Sequence, residues 1–439
     1  MSLQECDTIV SASNAILDVY TDTDVAIAIR DGLIVDLGKK GDVIAKWQSK
    51  NELDLGRALL MPGLINAHTH VPMTFLRGFA DDLPLMDWLT KHIFPVEAHL
   101  TNRIVALGAR LGMYEMMRGG TTGFVDSYLL EANVLEEADK MGIRCVAGEA
   151  VFAFPSPAYP NWEAAAELYR AQAEKYRNHS RIKLCMMPHS VYTTSDDILR
   201  QSMELAQELD IMYHIHLSES AGEVAQSKEL HQGMRPVEYA KSLGLLTDRS
   251  IFAHMVDLTD QELDWVAESG AQIVHNPVSN LKLASGIAPV ADMVSKNISV
   301  AIGTDGAASN NSLDMFESMK LAAILAKGAM KDATVIPAEM AFKMATQEGA
   351  RAMMKPDLGV LKIGAPADMI ALDLNEPNVV PLYNEISHAV YASNAKDCIL
   401  TMVEGKVLYQ NGTYADGLYA ETVAEMQDLV QWARSKANS

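Results

Sequence analysis

Eight short apolar segments recur through the middle of the chain, and segments with a helical spacing of apolar residues separate them. Each apolar segment is nearly continuous and has the length of a strand buried on both faces of a parallel sheet. Their positions are 59–70, 122–126, 144–148, 182–187, 211–216, 250–254, 271–275 and 298–303. Eight such units of roughly 30 residues predict an α/β fold of the (β/α)8 or TIM-barrel type.

The two ends of the chain have a different pattern. Asp31-Gly32 separates two apolar runs near the start, and Gly405 separates two more near the end. Such pairs of runs predict β-hairpins. We therefore predict a small β-sandwich domain built from both termini, residues 1–60 with 368–439, around a catalytic barrel of residues 61–367.

Composition excludes several classes of protein. With 36 basic and 57 acidic residues the net charge is −21, which argues against binding to nucleic acid or to an anionic membrane surface. No stretch reaches the roughly 18 consecutive apolar residues of a membrane span, and residues 1–7 lack the pattern of a secretory signal. The four cysteines include no Cys-x-x-Cys pair and favour reduced thiols. We expect a cytoplasmic protein.

Ionisable side chains fall at the carboxyl ends of the predicted strands, which form the active-site face of such a barrel. They are His68, His70, His189, His216, His254, His275 and Asp305. In a strand, residues two apart share a face, so both imidazoles of a His-x-His pair point the same way.

The first His-x-His pair therefore makes a metal clamp. Together with His216 and Asp305, His68 and His70 provide three imidazoles and a carboxylate, which suit zinc or another divalent metal such as Fe²⁺ or Mn²⁺. His214 is predicted to lie deeper than His216. The only lysine of the fourth strand segment lies at its far end, so a lysine bridging two metals is missing, and one metal is favoured.

Two further side chains are predicted beside this metal. Glu219 lies three residues past His216, where its carboxylate could reach a substrate atom. His254 is placed to orient a water molecule, and Asp305 could act as a base as well as a ligand.

Several motifs resemble the amidohydrolase superfamily. Residues 61–70, MPGLINAHTH, resemble its first barrel strand, and residues 364–368, GAPAD, resemble the return into its small β-sandwich. Within the superfamily the chain looks most like the 5-methylthioadenosine/S-adenosylhomocysteine deaminases. The motifs shared with them are FLRG at 75–78, DWL at 87–89, PVE at 95–97, HSVY at 189–192, HLSE at 216–219, HNPVSN at 275–280 and GTDG at 303–306.

The resemblance implies a reaction and a set of roles. One zinc ion would be held by His68, His70, His216 and Asp305. Water would attack C6 of an adenine ring while Glu219 protonates N1, and Asp305, helped by His254, would move the proton of the water. Ammonia would leave.

The resemblance also implies how a purine nucleoside would bind. Glu97 would bind the ribose hydroxyls, and His189 would contact the purine on its N3 side. Trp88 would flank the purine. The predicted partner is therefore a small-molecule purine nucleoside, and we also predict a homo-oligomer.

One departure bears on the substrate. Relatives that favour S-adenosylhomocysteine are expected to clasp its carboxylate with arginines after the third strand, but residues 145–169 contain no arginine or lysine. The same segment contains Phe152, Phe154, Tyr159 and Trp162. We therefore rank 5′-methylthioadenosine first, before adenosine and S-adenosylhomocysteine.

Two alternatives stay open. One is another mononuclear amidohydrolase acting on guanine, a pterin or a triazine, which would have no ribose for Glu97 to bind. The other is a barrel that binds a nucleoside without catalysis.

Overall fold

The computed structural model describes residues 3–436 of the chain. It contains a barrel of eight parallel strands and a β-sheet domain whose strands come from both ends of the sequence. The prediction of the fold class is confirmed.

The terminal domain begins with seven strands. They are β1 (Gln4–Glu5), β2 (Thr8–Ile16), β3 (Thr21–Arg30), β4 (Leu33–Lys39), β5 (Trp47–Gln48), β6 (Glu52–Asp54) and β7 (Ala58–Pro62). Asp31 and Gly32, with φ of 54° and 77°, join β3 to β4. Positive φ at both central residues is what a tight hairpin turn requires, so the predicted hairpin is present.

The barrel follows. Its strands are β8 (Leu64–Thr69), β9 (Thr121–Tyr128), β10 (Arg144–Val151), β11 (Ile182–Pro188), β12 (Met212–Leu217), β13 (Ser250–His254), β14 (Gln272–His275) and β15 (Ser299–Ile302). Each is hydrogen-bonded in parallel to the next. The amide of Asp305, just past β15, donates to the carbonyl of His68 at 3.0 Å and brings the last strand against the first.

One predicted strand is two strands. The apolar run 59–70 divides at Gly63, so that β7 belongs to the terminal sheet and β8 to the barrel. A side chain at Gly63 would have its Cβ 2.1 Å from Oγ1 of Thr122, so only glycine fits where the chain crosses between the sheets. Both strands are buried throughout, which is why hydrophobicity alone did not separate them.

The chain returns to the terminal sheet through four more strands. They are β16 (Met369–Asp373), β17 (Cys398–Val403), β18 (Lys406–Gln410) and β19 (Thr413–Tyr414). The sheet order is β19-β18-β17-β16-β7-β2-β3-β4, so the two ends of the sequence meet where β16 pairs with β7. The exact domain boundaries, 1–60 with 368–439 and 61–367, stay predictions.

Helices connect the strands. They are α1 (Lys40–Ile44), α2 (Leu85–Asp87), α3 (Phe94–Glu97), α4 (Asn102–Arg118), α5 (Ala132–Met141), α6 (Trp162–Tyr176), α7 (Asp196–Leu209), α8 (Ala221–Leu230), α9 (Pro236–Ser242), α10 (Asp260–Ser269), α11 (Pro277–Lys282), α12 (Val290–Ser295), α13 (Met315–Met330), α14 (Ala338–Ala345), α15 (Gln347–Ala352), α16 (Glu385–Tyr391) and α17 (Tyr419–Lys436). Side-chain caps from Thr101, Asn161 and Ser195 fix the starts of α4, α6 and α7. Within residues 3–436, no helix combines the length and apolar character needed to span a bilayer.

Candidate active site

The backbone turns sharply where several barrel strands end. Ser218, His254 and Asp305, which follow or end β12, β13 and β15, have φ of 51°, 76° and 64°. A left-handed conformation is unfavourable for residues other than glycine and persists only where the surrounding contacts fix it. These turns hold the polar side chains that end the strands at one rim of the barrel.

The four predicted metal ligands come together at this rim. His70 Nε2 lies 3.2 Å from Asp305 Oδ1, and His68 Nε2 lies 3.6 Å from the same oxygen. His216 Nε2 is 3.3 Å from His70 Nε2. Neither ring nitrogen of the fully buried His68 has a hydrogen-bond partner among the described residues. Convergent imidazole nitrogens with one carboxylate and no other partner fit a divalent cation.

Hydrogen bonds on the far side of two rings orient them. His216 Nδ1 donates to the carbonyl of His189 at 2.6 Å, and His70 Nδ1 donates to the carbonyl of Ser127. The Nε2 atoms therefore face the other predicted ligands, that of His70 toward Asp305 and that of His216 toward His70, as expected of metal-ligating histidines.

The charges of the site follow from burial and proximity. Burial lowers the pKa of His68 to about 4, so this imidazole is neutral. Burial acts against ionisation of Asp305 as well, but the nearby imidazoles of His68 and His70 outweigh this and hold its pKa well below the usual range. Burial also lowers the pKa of His70, yet Asp305 outweighs it and raises that pKa to about 9. A cation bound between these two side chains would displace the proton of His70.

Glu219 and His254 face each other beside the metal-ligand group. Glu219 Oε2 is 3.8 Å from His254 Nε2, and Ser285 Oγ donates to Glu219 Oε1 at 3.3 Å. Burial raises the pKa of Glu219, which favours the protonated acid. His254 Nδ1 donates to Asn280 Oδ1 at 2.8 Å, so its Nε2 is left as an acceptor toward the cavity. Ligand atoms of His254, His68 and Asp305 also lie within 4.8 Å of one another, which places His254 at the edge of the metal group.

A cavity opens above these residues. Eight of the predicted site residues line it, namely His70, Trp88, Glu97, His189, His216, Glu219, His254 and Asp305. His68 lies beneath. A helical segment lines one part of the cavity and supplies Trp88 and Glu97. It consists of α2, a π-helical turn at Trp88–Ile93 and α3. Burial raises the pKa of Glu97 to about 7, and the nearby Tyr128 hydroxyl and His70 only partly offset this.

His189 lies against the metal-ligand side of this cavity. Its ring stacks on Phe152 with centroids 5.0 Å apart and is 4.8 Å from the ring of His216. Its Nδ1 hydrogen-bonds Oγ1 of Thr193 at 3.0 Å. The ring is therefore fixed between an apolar side chain and a predicted metal ligand.

Two other histidines of the rim stay below the cavity. The ring of His214 is 4.9 Å from that of His68, and neither it nor His275 lines the cavity. The predicted deeper position of His214 agrees with this arrangement.

Sequence reasoning left several supporting residues without a role. Ser279 Oγ donates to Asp305 Oδ2 at 2.5 Å, and Asn280 holds His254. Both lie on α11, in the HNPVSN motif, which was the available signal for them. Glu223 accepts hydrogen bonds from the backbone amides of Ser218 and Glu219. Its available signal was the Ser220-x-x-Glu223 spacing, which is typical of a helix start.

The barrel and its His/Asp group define the class of hydrolase that uses a divalent metal at the carboxyl ends of barrel strands. The chain matches the model of the amidohydrolase family over residues 59–408 and belongs to this family. The predicted resemblance is confirmed.

Two sequence relatives and one solved structure resemble the chain along most of its length. The chain is 50% identical to a 5-methylthioadenosine/S-adenosylhomocysteine deaminase of Nitratidesulfovibrio vulgaris, over 98% of each sequence. It is 39% identical to a 5′-deoxyadenosine deaminase of Methanothermobacter thermautotrophicus, over 88% of this chain and 90% of that one. A crystal structure of an adenosine deaminase from Xanthomonas campestris with bound zinc superposes with a TM-score of 0.96, at 35% identity, covering 99% of this chain and 100% of that chain.

Proposed function

We propose that this protein hydrolytically deaminates 5′-methylthioadenosine to 5′-methylthioinosine and ammonia. The observation that carries the proposal is the meeting of Glu219, His254 and Asp305 around one group of imidazoles at the base of a cavity. Relatives aligned along nearly the whole chain are named as 5-methylthioadenosine/S-adenosylhomocysteine deaminases. The protein is thus an enzyme of the adenosine-deaminase type.

We propose that His68, His70, His216 and Asp305 hold one divalent ion, with zinc as the first choice. The fit rests on the nitrogens of His68, which lack partners, and on the orientation of His70 and His216. When bound, such an ion lowers the pKa of a coordinated water to roughly 7 and so supplies a nucleophile at neutral pH.

The protein's own side chains move the protons. The protonated Glu219 donates to N1 of the adenine ring, so that the ring accepts the electron pair as water oxygen bonds to C6. Asp305 accepts a proton of the attacking water, while His254, an acceptor at Nε2, orients that water. The proton passes from Asp305 to the 6-amino group, and the C6–N bond breaks as the C6 hydroxyl becomes a carbonyl. Ammonia leaves, and the proton released from that hydroxyl restores the acid form of Glu219.

The rest of the cavity binds the nucleoside. Glu97, at the end of α3, accepts hydrogen bonds from the two ribose hydroxyls when it is ionised. Trp88 and His189 contact the purine. Trp88 and Glu97 are buried and exclude water from the reacting ring.

We place 5′-methylthioadenosine ahead of S-adenosylhomocysteine. Within the described part of the chain, no arginine or lysine is among the residues that line the cavity. Apolar side chains such as Leu85, Phe94 and Phe152 occupy the wall instead. An apolar wall accepts a methylthio group, whereas a zwitterionic amino acid would lose its hydration without gaining a partner.

Ammonia release is the direct test. We would measure it with 5′-methylthioadenosine, adenosine, S-adenosylhomocysteine, adenine and guanine, with metal analysis of the same sample. We expect fast release from the first nucleoside and little from free adenine, since Glu97 needs the ribose diol. Release from guanine but from no adenine nucleoside would refute the proposal and favour the alternative class of amidohydrolase; pterin and triazine substrates complete that comparison.

Two further proposals concern the oligomeric state of the protein and its location in the cell. A homo-oligomer is expected from the sequence prediction and is tested by light scattering of the purified protein. A cytoplasmic location is supported by the four cysteines, all of which are free thiols in the described chain, and is tested by cell fractionation.

A further inference from the structure

A buried carboxylate holds the backbone that carries Glu219. Glu223, in the first turn of α8, is 6% exposed. Its Oε1 accepts from the amide of Ser218 at 3.0 Å, and its Oε2 accepts from the amide of Glu219 at 2.6 Å. One side chain thus satisfies two consecutive backbone donors immediately after β12.

These two amides need such a partner because of where they lie. Ser218 has a φ of 51°, so the chain leaves the strand direction there and its amides lose the partners a strand would give. Both residues are buried, and a buried amide without an acceptor is unfavourable. The carboxylate therefore fixes the two peptide planes, and with them the direction in which Glu219 leaves the backbone.

Glu223 is itself held in place. Ser220 caps α8, and its Oγ accepts from the amide of Glu223 at 3.2 Å. The turn 218–223 is consequently closed on itself by hydrogen bonds in both directions. These hydrogen bonds restrict the backbone of Glu219, which is the one acidic residue of this turn that lines the cavity.

The barrel has a second arrangement of this kind, at a loop that does not carry Glu219. Glu149 accepts from the amides of Leu130 and Glu131, each at 2.9 Å, and Leu130 has a φ of 59°. This second clamp holds the loop after β9, which carries no predicted proton donor. It provides a matched control within the same fold.

We propose that Glu223 is a positioning residue for Glu219. By fixing the Ser218 and Glu219 amides it aims the carboxyl group of Glu219 at N1 of the bound purine. The inference rests on the proposed function, because it assigns Glu223 an effect on proton donation.

A double-mutant cycle tests this coupling. We would measure kcat and KM for 5′-methylthioadenosine in Glu223→Gln, Glu219→Gln and the double variant, with metal content determined for each. The glutamine presents one oxygen and one NH₂ group to two amide donors, so one contact is lost. We expect Glu223→Gln to lower kcat by about 10- to 100-fold with little change in KM, the loss typical of a misplaced catalytic group.

The cycle separates positioning from general destabilisation. If Glu223 acts through Glu219, adding Glu223→Gln to Glu219→Gln costs less than about twofold more. In the control, Glu149→Gln combined with Glu219→Gln should give independent effects. Full additivity of the Glu223 and Glu219 variants would overturn the proposal.

A second readout is independent of turnover. Amide hydrogen exchange of a peptide covering residues 217–222 should be slow in the wild-type protein and faster in Glu223→Gln, whereas the peptide 129–133 should respond only to Glu149→Gln. Unchanged exchange at 217–222 would also overturn the proposal. If wild-type protein releases no ammonia, the proposed function fails, while the exchange experiment still decides whether Glu223 holds the loop.

The experiment has a milder variant. If Glu223→Gln does not fold, Ser220→Ala removes the cap of the same turn and enters the same cycle. We expect a smaller loss of kcat that again disappears in the Glu219→Gln background. A loss that persists there would count against the proposal.

Discussion

Replacing Glu219 by glutamine should remove most of the turnover and leave the protein otherwise intact. The glutamine has the same size, and its side-chain oxygen can still accept from Ser285. Glu219 is in neither group of side chains that could hold a metal, so the metal should be retained. The acid proton is the one feature that the substitution takes away.

The size of the effect follows from that loss. A positioned general acid contributes typically about 10²- to 10⁴-fold to a rate, equivalent to about 3 to 5 kcal/mol in the activation barrier. Burial raises the pKa of Glu219 and so favours the acid form that donates, which is consistent with a large effect on kcat. The KM should change little, since ribose recognition is assigned to Glu97.

The assay is ammonia release under saturating 5′-methylthioadenosine, with zinc measured in the same sample. Glu262 offers a control, because it is 1% exposed but lies in the capping box of α10, outside the cavity. Glu262→Gln should lower stability and leave kcat unchanged. Turnover of Glu219→Gln close to that of wild type, with metal retained, would refute the role of Glu219 as the acid.

Three other predictions concern binding, metal and stability. Glu97 binds ribose as an anion and its pKa is raised to about 7, so the KM for 5′-methylthioadenosine should rise as the pH falls below about 7; in Glu97→Gln, KM should be higher and insensitive to pH over that range. Removal of the metal with a chelator should abolish turnover, and zinc added back at pH 7 should restore it with release of protons, detected by a pH indicator, because His70 must lose its proton to bind. Arg144→Met leaves the buried carboxylate of Asp368 without its ion pair and should lower the free energy of unfolding by about 3–5 kcal/mol, measured by urea denaturation.

The fold could be predicted because its signals are local. A buried parallel strand is a short apolar run, and a covering helix has its own period, so β9 through β15 were located from the sequence. The division of one apolar run at Gly63 could not be predicted from the sequence. The residues on both sides are equally apolar, and the change of sheet depends on contact with Thr122.

The site residues were also predicted on two different grounds, barrel geometry and family resemblance. His68, His70, His216 and Asp305 were predicted because strand ends of a barrel converge by geometry. Glu97, His189 and Trp88 came from the resemblance of short motifs, since nothing in their spacing points to a nucleoside. Their roles stay predictions.

The residues that escaped prediction act across elements. Asn280 is 26 positions from the His254 that it orients, and Ser279 is 26 positions from Asp305. These contacts arise because α11 packs at the rim of the barrel. The periodicity of apolar residues in the sequence does not predict that packing. Glu223 is close to Glu219 in sequence, but its effect depends on the left-handed turn at Ser218.

The pairing of β7 with β16 has a consequence for how the protein is made. Met61 lies opposite Ile370, so a ribosome must synthesise the whole barrel before β7 meets its partner β16. Until then β7 presents an unpaired, apolar edge, which is a hazard for association with other nascent chains. Early completion of the barrel would shorten this interval by holding the two edges close together, and chains released before β16 would keep the edge open and become substrates for chaperones and proteases.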